Sequence, residues 1–171
     1  MLRTALPHDL ATLNSLSTAE FVCLVGPVFE HSPWIAERAA RQRPFAGAEE
    51  LHAALCRIVA EATEEEQLGL IRAHPDLVGK AVLTDASSGE QDSAGLTNLT
   101  SGEIAHFGEY NRSYREKFGF PFVICARLNK KEAILEAFPH RLQNTPEAER
   151  ATALAEIYKI ARLRLLDLLS P

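Results

Sequence analysis

The stretch Phe118-Gly119-Phe120-Pro121-Phe122-Val123-Ile124-Cys125-Ala126 is the most apolar in the chain, and its reading decides the fold class. Its β-branched and aromatic content suits a buried strand. A strand needs a partner, and no other segment reads as one, because the remainder consists of apolar residues at helical spacing separated by capping signals. The segment is therefore expected to be an extended buried chain or a short helix beside a pocket, whose main-chain N–H and C=O groups must find partners. A bound polar ligand is one source of them. The expected fold is all-α, a single domain over residues 1–171 built as a multi-helix bundle of about eight to ten helices.

Composition agrees with a globular domain. The 171 residues are 46% hydrophobic and 24% charged, which excludes a disordered or fibrous chain, and a chain of this size buries roughly 70% of its unfolded surface. The net charge of -5 comes with no basic stripe, so neither nucleic acid nor an anionic membrane is an expected partner. Cys23, Cys56 and Cys125 stand far apart in apolar contexts without a Cys-x-x-Cys pair, and they read as small buried hydrophobes in a reducing compartment. The first residues hold no long apolar signal segment, no run approaches the ~20 apolar residues of a membrane span, and Leu169-Ser170-Pro171 is not a peroxisomal address. The expected location is the cytoplasm.

Working outward from the apolar stretch, helix signals recur. Ser17-x-x-Glu20, Thr63-x-x-Glu66 and Thr100-x-x-Glu103 are capping boxes. The first opens a short helix, read as fully buried, that ends at Gly26-Pro27; the third opens a helix with Ile104, Phe107, Tyr110 and Tyr114 on its apolar side and Gly119 as terminator. Ser32-Pro33-Trp34 reads as an N-cap serine with proline at the first helical position, and Trp34 as the anchor of that helix. Leu51, Ala54, Leu55, Ile58 and Val59 mark a further helix between Ala46 and Ala62. Asn129 is expected to cap a helix running to Leu142, with Pro139 kinking or stopping it, and Thr145-Pro146 opens the final helix.

The polar run His74-Pro75-Asp76-Leu77-Val78-Gly79-Lys80 interrupts this pattern. Pro75 disfavours helical geometry at His74, placing an imidazole at the end of the preceding helix. There one ring nitrogen can be held by a neighbour while the other serves as acid or base; taken alone, the local pattern favours a histidine in a surface turn. The following stretch, from Ala81 to Leu96, is too rich in Ser and Gly to read as a strong helix. It contains Ser87-x-x-Glu90-Gln91, whose plain reading is a capping box with Ser87 as N-cap. In the final helix, Leu154, Ile157, Ala161, Arg164 and Leu168 share one stripe, so Arg164 falls on the apolar face and needs a carboxylate, a carbonyl or an anionic ligand. His8, His31, His52, His106 and His140 have no metal-ligand spacing, and phosphate loops, zinc motifs, nucleophile elbows and dinucleotide fingerprints are absent.

Taken in order, His74-Pro75-Asp76-Leu77 with Gly79-Lys80, Ser87-x-x-Glu90-Gln91 with Ala94-Gly95-Leu96, Phe118 to Ile124, and Ile160-Ala161-Arg162-Leu163-Arg164-Leu165 closely resemble the OHCU decarboxylase family. OHCU is 2-oxo-4-hydroxy-4-carboxy-5-ureidoimidazoline, an intermediate of uric acid oxidation, and the family converts it to (S)-allantoin with loss of carbon dioxide. The resemblance implies an all-helical homodimer that uses neither a metal nor an organic cofactor. It implies His74 and Glu90 as catalytic residues, and Pro75, Ser87, Gln91, the backbone of Phe122, Val123, Ile124, Cys125 and Ala126, and Arg164 as the groups that hold substrate. His74 would then be the principal acid/base group, with Glu90 orienting it or relaying its proton. Two other classes fit the same residues: a non-catalytic helical ureide-binding domain, and a His/Glu hydrolase or tautomerase acting on a related imidazolone.

Overall fold

The computed structural model describes residues 9–79 and 83–169, and among these it contains nine α-helices, two 3-10 turns and no strand. The all-α expectation holds. The N-terminal segment read for a signal sequence, Lys80 of the His-Pro motif, Ala81 and Val82 at the start of the small-residue stretch, and the C-terminal Ser170-Pro171 lie outside the described residues. No helix among the described residues is long and apolar enough to cross a membrane. Two compact units are present: residues up to Gln67 together with those from Ala161 onward, and residues Leu68–Ile160.

In the first unit, α1 (Leu10–Ser15) is capped by Asp9, whose Oδ1 accepts from Thr12 N–H at 2.7 Å. The Ser17/Glu20 box opens α2 (Thr18–Val25), with both of its reciprocal bonds made. This helix is not fully buried. Only Phe21 and Val25, one turn apart, are fully enclosed, and Cys23 on the opposite side is exposed. A 3-10 turn (Gly26–Val28) follows, then α3 (Trp34–Ala40) and α4 (Ala48–Ala60). Ser32 does not cap α3; its hydroxyl donates back to Glu30 O at 3.0 Å, and Pro33 occupies the cap position. Trp34 is half-buried and lies under the Arg38 guanidinium, 4.5 Å from the ring centroid. Helices α2, α3 and α4 pack in sequence order around Phe21, Val25, Ile35, Ala39, Leu51 and Leu55.

The second unit takes in the end of α5 (Glu64–Arg72), α6 (Asp85–Ser93), α7 (Ser101–Phe118), α8 (Lys131–Arg141) and most of α9 (Pro146–Leu169). The stretch expected to be weak in helix is α6. Its N-cap is Thr84, in extended backbone, with Oγ1 accepting from Ser87 N–H at 3.2 Å. The Ser87 capping box is thus corrected: a second hydroxyl three residues earlier takes the cap and moves Ser87 into the first turn. The Thr100/Glu103 box forms as expected, and Gly119 ends α7 at φ 74°, donating its N–H to Arg115 O. That left-handed geometry suits glycine. α8 begins after Lys130, because Asn129 Nδ2 is used on Cys125 O at 2.9 Å, and the helix continues two residues past Pro139.

The apolar stretch from Gly119 to Cys125 is a largely buried chain in neither helix nor strand. It runs without a pairing strand from Gly119 into a 3-10 turn at Ala126–Leu128. Phe122 stacks on Phe138 with centroids 3.8 Å apart, and Tyr114 meets Phe122 edge-on at 5.3 Å. Burying such rings contributes about 1.5–3 kcal/mol each. Beside them lies a buried polar cluster. Glu149, at 0% exposure, accepts from Arg141 Nε at 2.6 Å, from Tyr114 OH and from Asn144 Nδ2 at 2.8 Å. Burial and the Glu149 hydrogen bond push the Tyr114 hydroxyl well above its ordinary pKa, so it stays protonated and donates.

Candidate active site

The His-Pro turn follows the last residues of α5. Ala73 N–H and His74 N–H still bond back to Gly69 O and Ile71 O, and then Pro75 turns the chain out of the helix. His74 is not a surface residue, being 6% exposed. Its Nδ1 lies 2.9 Å from Leu70 O. A carbonyl can only accept, so Nδ1 carries the proton of the neutral ring and Nε2 is the basic nitrogen. The fold thereby selects the tautomer.

Two helices hold the turn that follows. From α6, Gln91 Oε1 accepts Val78 N–H at 3.1 Å and Gln91 Nε2 donates to Asp76 O at 3.4 Å. From α7, Asn111 Nδ2 donates to Leu77 O at 2.7 Å, and Arg115 Nε contacts both Asp76 carboxylate oxygens at 2.9 and 3.1 Å. The Arg115–Asp76 pair is partly exposed and adds little stability by itself; its effect is to fix register. Val78 sits in the left-handed region at φ 56°, a strained conformation for a β-branched residue that the surrounding bonds sustain. Gly79 is tightly placed, since a methyl group on it would meet Asp76 Cβ at 3.0 Å and Asp76 O at 3.1 Å. Gly79→Ala is expected to lower kcat about tenfold by displacing the turn, with a stability change under about 1 kcal/mol. Steady-state rates and urea midpoints measured side by side will check this.

Helix α6 joins this turn to the apolar wall. Gln91 reaches the turn, while α6 packs on the 3-10 turn at Ala126–Leu128. Lys131 N–H also bonds to Ala94 O at the end of α6. Ser87 and Gln91 are buried, at 5% and 7% exposure, while Glu90 and Pro75 are half-buried. In the wall, Phe122, Val123, Cys125 and Ala126 are buried and Ile124 is half-buried. Burial, with the nearby Glu156 and Glu90 carboxylates, raises the Cys125 thiol above its usual pKa, so it is a neutral apolar filler rather than a nucleophile.

His74, Pro75, Ser87, Glu90, Gln91 and Phe122 to Ala126 therefore all belong to the unit Leu68–Ile160. Arg164 belongs to the other unit. There it is 8% exposed, with Nη1 donating to Glu30 Oε2 at 2.7 Å and to Pro27 O at 3.4 Å, so the partner its position demands is a carboxylate. Sequence reasoning passed over Glu30, Asn111, Arg141 and Glu156. Of these, only Arg141 and Glu156 carried a local hint, as charged residues close to apolar helix faces. Among the described residues, no group of three or more His, Cys, Asp or Glu could hold a metal ion.

A buried imidazole with Nδ1 held by a carbonyl, a half-buried carboxylate on α6 and an apolar wall, all in one unit of an all-α protein, are the groups that an acid/base site would require. The OHCU decarboxylase family model matches residues 14–166, and the chain belongs to that family. It is 44% identical over 162 residues to a protein of Haloferax volcanii named 2-oxo-4-hydroxy-4-carboxy-5-ureidoimidazoline decarboxylase, covering 94% of this chain and 96% of the relative. Among solved structures it is similar to an (S)-allantoin synthase, with TM-score 0.79, 31% identity and 95% of this chain covered; the chain spans 54% of that protein's length. It is also similar to an OHCU decarboxylase crystallised in the presence of (S)-allantoin, with TM-score 0.72, 25% identity, and 91% of this chain and 100% of that chain covered.

Proposed function

We propose that the chain decarboxylates OHCU to (S)-allantoin in uric acid degradation, as a carboxy-lyase acting through one functional domain. The observation that carries this reading is the seating of α6 between the turn and the wall, with Gln91 bonded to the His74 turn and the helix packed on the 3-10 turn at Ala126–Leu128. Membership of the family and the allantoin present with a structural relative support it. The substrate supplies its own electron sink. The carbon bearing carboxylate and hydroxyl adjoins a ring C=N, so the electron pair left by carbon dioxide flows into that bond and gives an enediamine-like intermediate. The reaction therefore proceeds without a metal or organic cofactor.

The protein's tasks are positioning and proton transfer. His74 Nε2 takes the proton of the substrate hydroxyl as the carbon–carbon bond breaks, the ring nitrogen that receives the electron pair is protonated from water, and the Leu70 carbonyl holds Nδ1–H. Glu90 orients the imidazole or relays its proton, and delivery to one face of the neighbouring carbon sets the S configuration. Ser87, Pro75 and the wall backbone hold the ring and ureido arm. Gln91 acts chiefly by holding the turn. Tight contact with the carboxylate alone would stabilise the ground state, so contacts that follow charge into the ring are favoured. The active species is a cytoplasmic homodimer.

Carbon dioxide release from freshly generated OHCU tests this reading. Release is expected to rise in proportion to protein concentration, above spontaneous decay, and to be unchanged by chelator. Consumption of OHCU without added release would instead indicate a hydrolase or tautomerase.

A further inference from the structure

Two side chains outside the motifs hold the wall from behind. Glu156 on α9 accepts Cys125 N–H on Oε2 at 2.8 Å, and Arg141 at the end of α8 donates from Nη1 to Val123 O at 2.6 Å. Each is itself fixed. Arg141 is tied to the buried Glu149 and lies 4.2 Å from the Phe122 ring centroid, while Glu156 Oε1 pairs with Lys159. Ile124 lies between the two anchored residues. In a planar trans peptide the C=O and the N–H point in opposite directions, and the peptides on either side of Ile124 are trans. With Val123 C=O and Cys125 N–H turned toward α8 and α9, the N–H and C=O of Ile124 turn away from them. Burial agrees, because Ile124 alone among Phe122 to Ala126 is half-buried.

We infer that Glu156 and Arg141 are positioning residues that clamp the wall so that the main-chain N–H and C=O of Ile124 form a donor–acceptor pair for a urea-type edge. The inference rests on the decarboxylase reading, whose substrate carries N–H and C=O groups side by side on its ring and ureido arm. A peptide group matches such an edge only if its orientation is fixed before binding, since ordering it at that moment would subtract from affinity. Two charge-assisted hydrogen bonds supply that fixity.

The test compares Glu156→Ala and Glu156→Gln in the full chain, reading kcat, KM for OHCU and the exchange rate of the Cys125 amide. Losing a hydrogen bond to a charged acceptor is expected to raise KM about tenfold in Glu156→Ala. The change in kcat stays within about threefold, the signature of lost binding rather than lost chemistry. Glu156→Gln keeps an acceptor oxygen but not the charge, and is expected to regain most of the affinity and of the amide protection. Glu156→Met fills the same space without an acceptor and carries the alanine expectation should alanine unfold the chain. An unchanged KM in the variants lacking an acceptor, or a glutamine variant as impaired as alanine, would overturn the inference while the unaltered chain still turns over OHCU. Absence of turnover in the unaltered chain would overturn the parent reading and this inference together.

Discussion

Replacing His74 with alanine is expected to lower the rate of (S)-allantoin formation about 10³-fold, within the range by which a positioned acid/base group accelerates proton transfer. The expectation follows from geometry. The ring is buried and its Nδ1 proton is committed to Leu70 O, so its basic nitrogen is Nε2 in the neutral form. The variant leaves the Leu70 carbonyl without this donor, which costs about 1–3 kcal/mol of stability and does not unfold a domain of ordinary stability. Far-ultraviolet dichroism of the variant should therefore match that of the unaltered chain. A variant that folds and retains more than a tenth of the rate would remove His74 from the chemistry and leave it a structural histidine.

Removing Glu149 is expected to have the largest effect on stability. Glu149→Ala would leave Arg141, Tyr114 OH and Asn144 without the carboxylate they share in the interior. Breaking a buried ion pair from one side destabilises by about 3–5 kcal/mol, because the remaining charge stays buried and unpaired. Against a typical total of about 5–15 kcal/mol, that is a large fraction. Urea unfolding should show a lower midpoint with an unchanged slope. Arg141 also holds Val123 O, so the variant should lose substrate affinity even where it remains folded. A stability loss below about 1 kcal/mol would mean that the cluster is wetter or more adaptable than its burial indicates.

Local signals in the sequence carried much of the fold. Capping boxes at Ser17, Thr63 and Thr100 all form, since both partners lie within one turn of each other, and in Glu66 and Glu103 the second carboxylate oxygen is left for the distant Arg38 and Lys131. The Phe118 to Ala126 stretch was legible by elimination, as a strand without a partner cannot satisfy its backbone. Ser87 was misplaced because Thr84 satisfies the same capping rule one turn earlier. Asn129 was misplaced because its amide closes a turn onto Cys125 instead.

The candidate site was legible where identity and order of residues suffice, as with His74, Glu90 and Gln91. It was illegible where a role depends on a contact far away in sequence. Asn111 reaches Leu77 across 34 residues, Glu156 reaches Cys125 across 31, and Glu30 reaches Arg164 across 134. No periodicity or spacing encodes such pairs. The apolar stripe of α9 did announce that Arg164 needed a partner, but the choice of a carboxylate is a property of the folded chain.

If this chain catalyses a stereospecific decarboxylation, its product is optically active. Freshly generated OHCU decays spontaneously to racemic allantoin, which has no net dichroism. With the chain present, the dichroism of (S)-allantoin is expected to grow at a rate proportional to protein concentration and to vanish with His74→Ala. Racemic product formed at the spontaneous rate, whatever the concentration of the chain, would show that the chain does not catalyse this reaction.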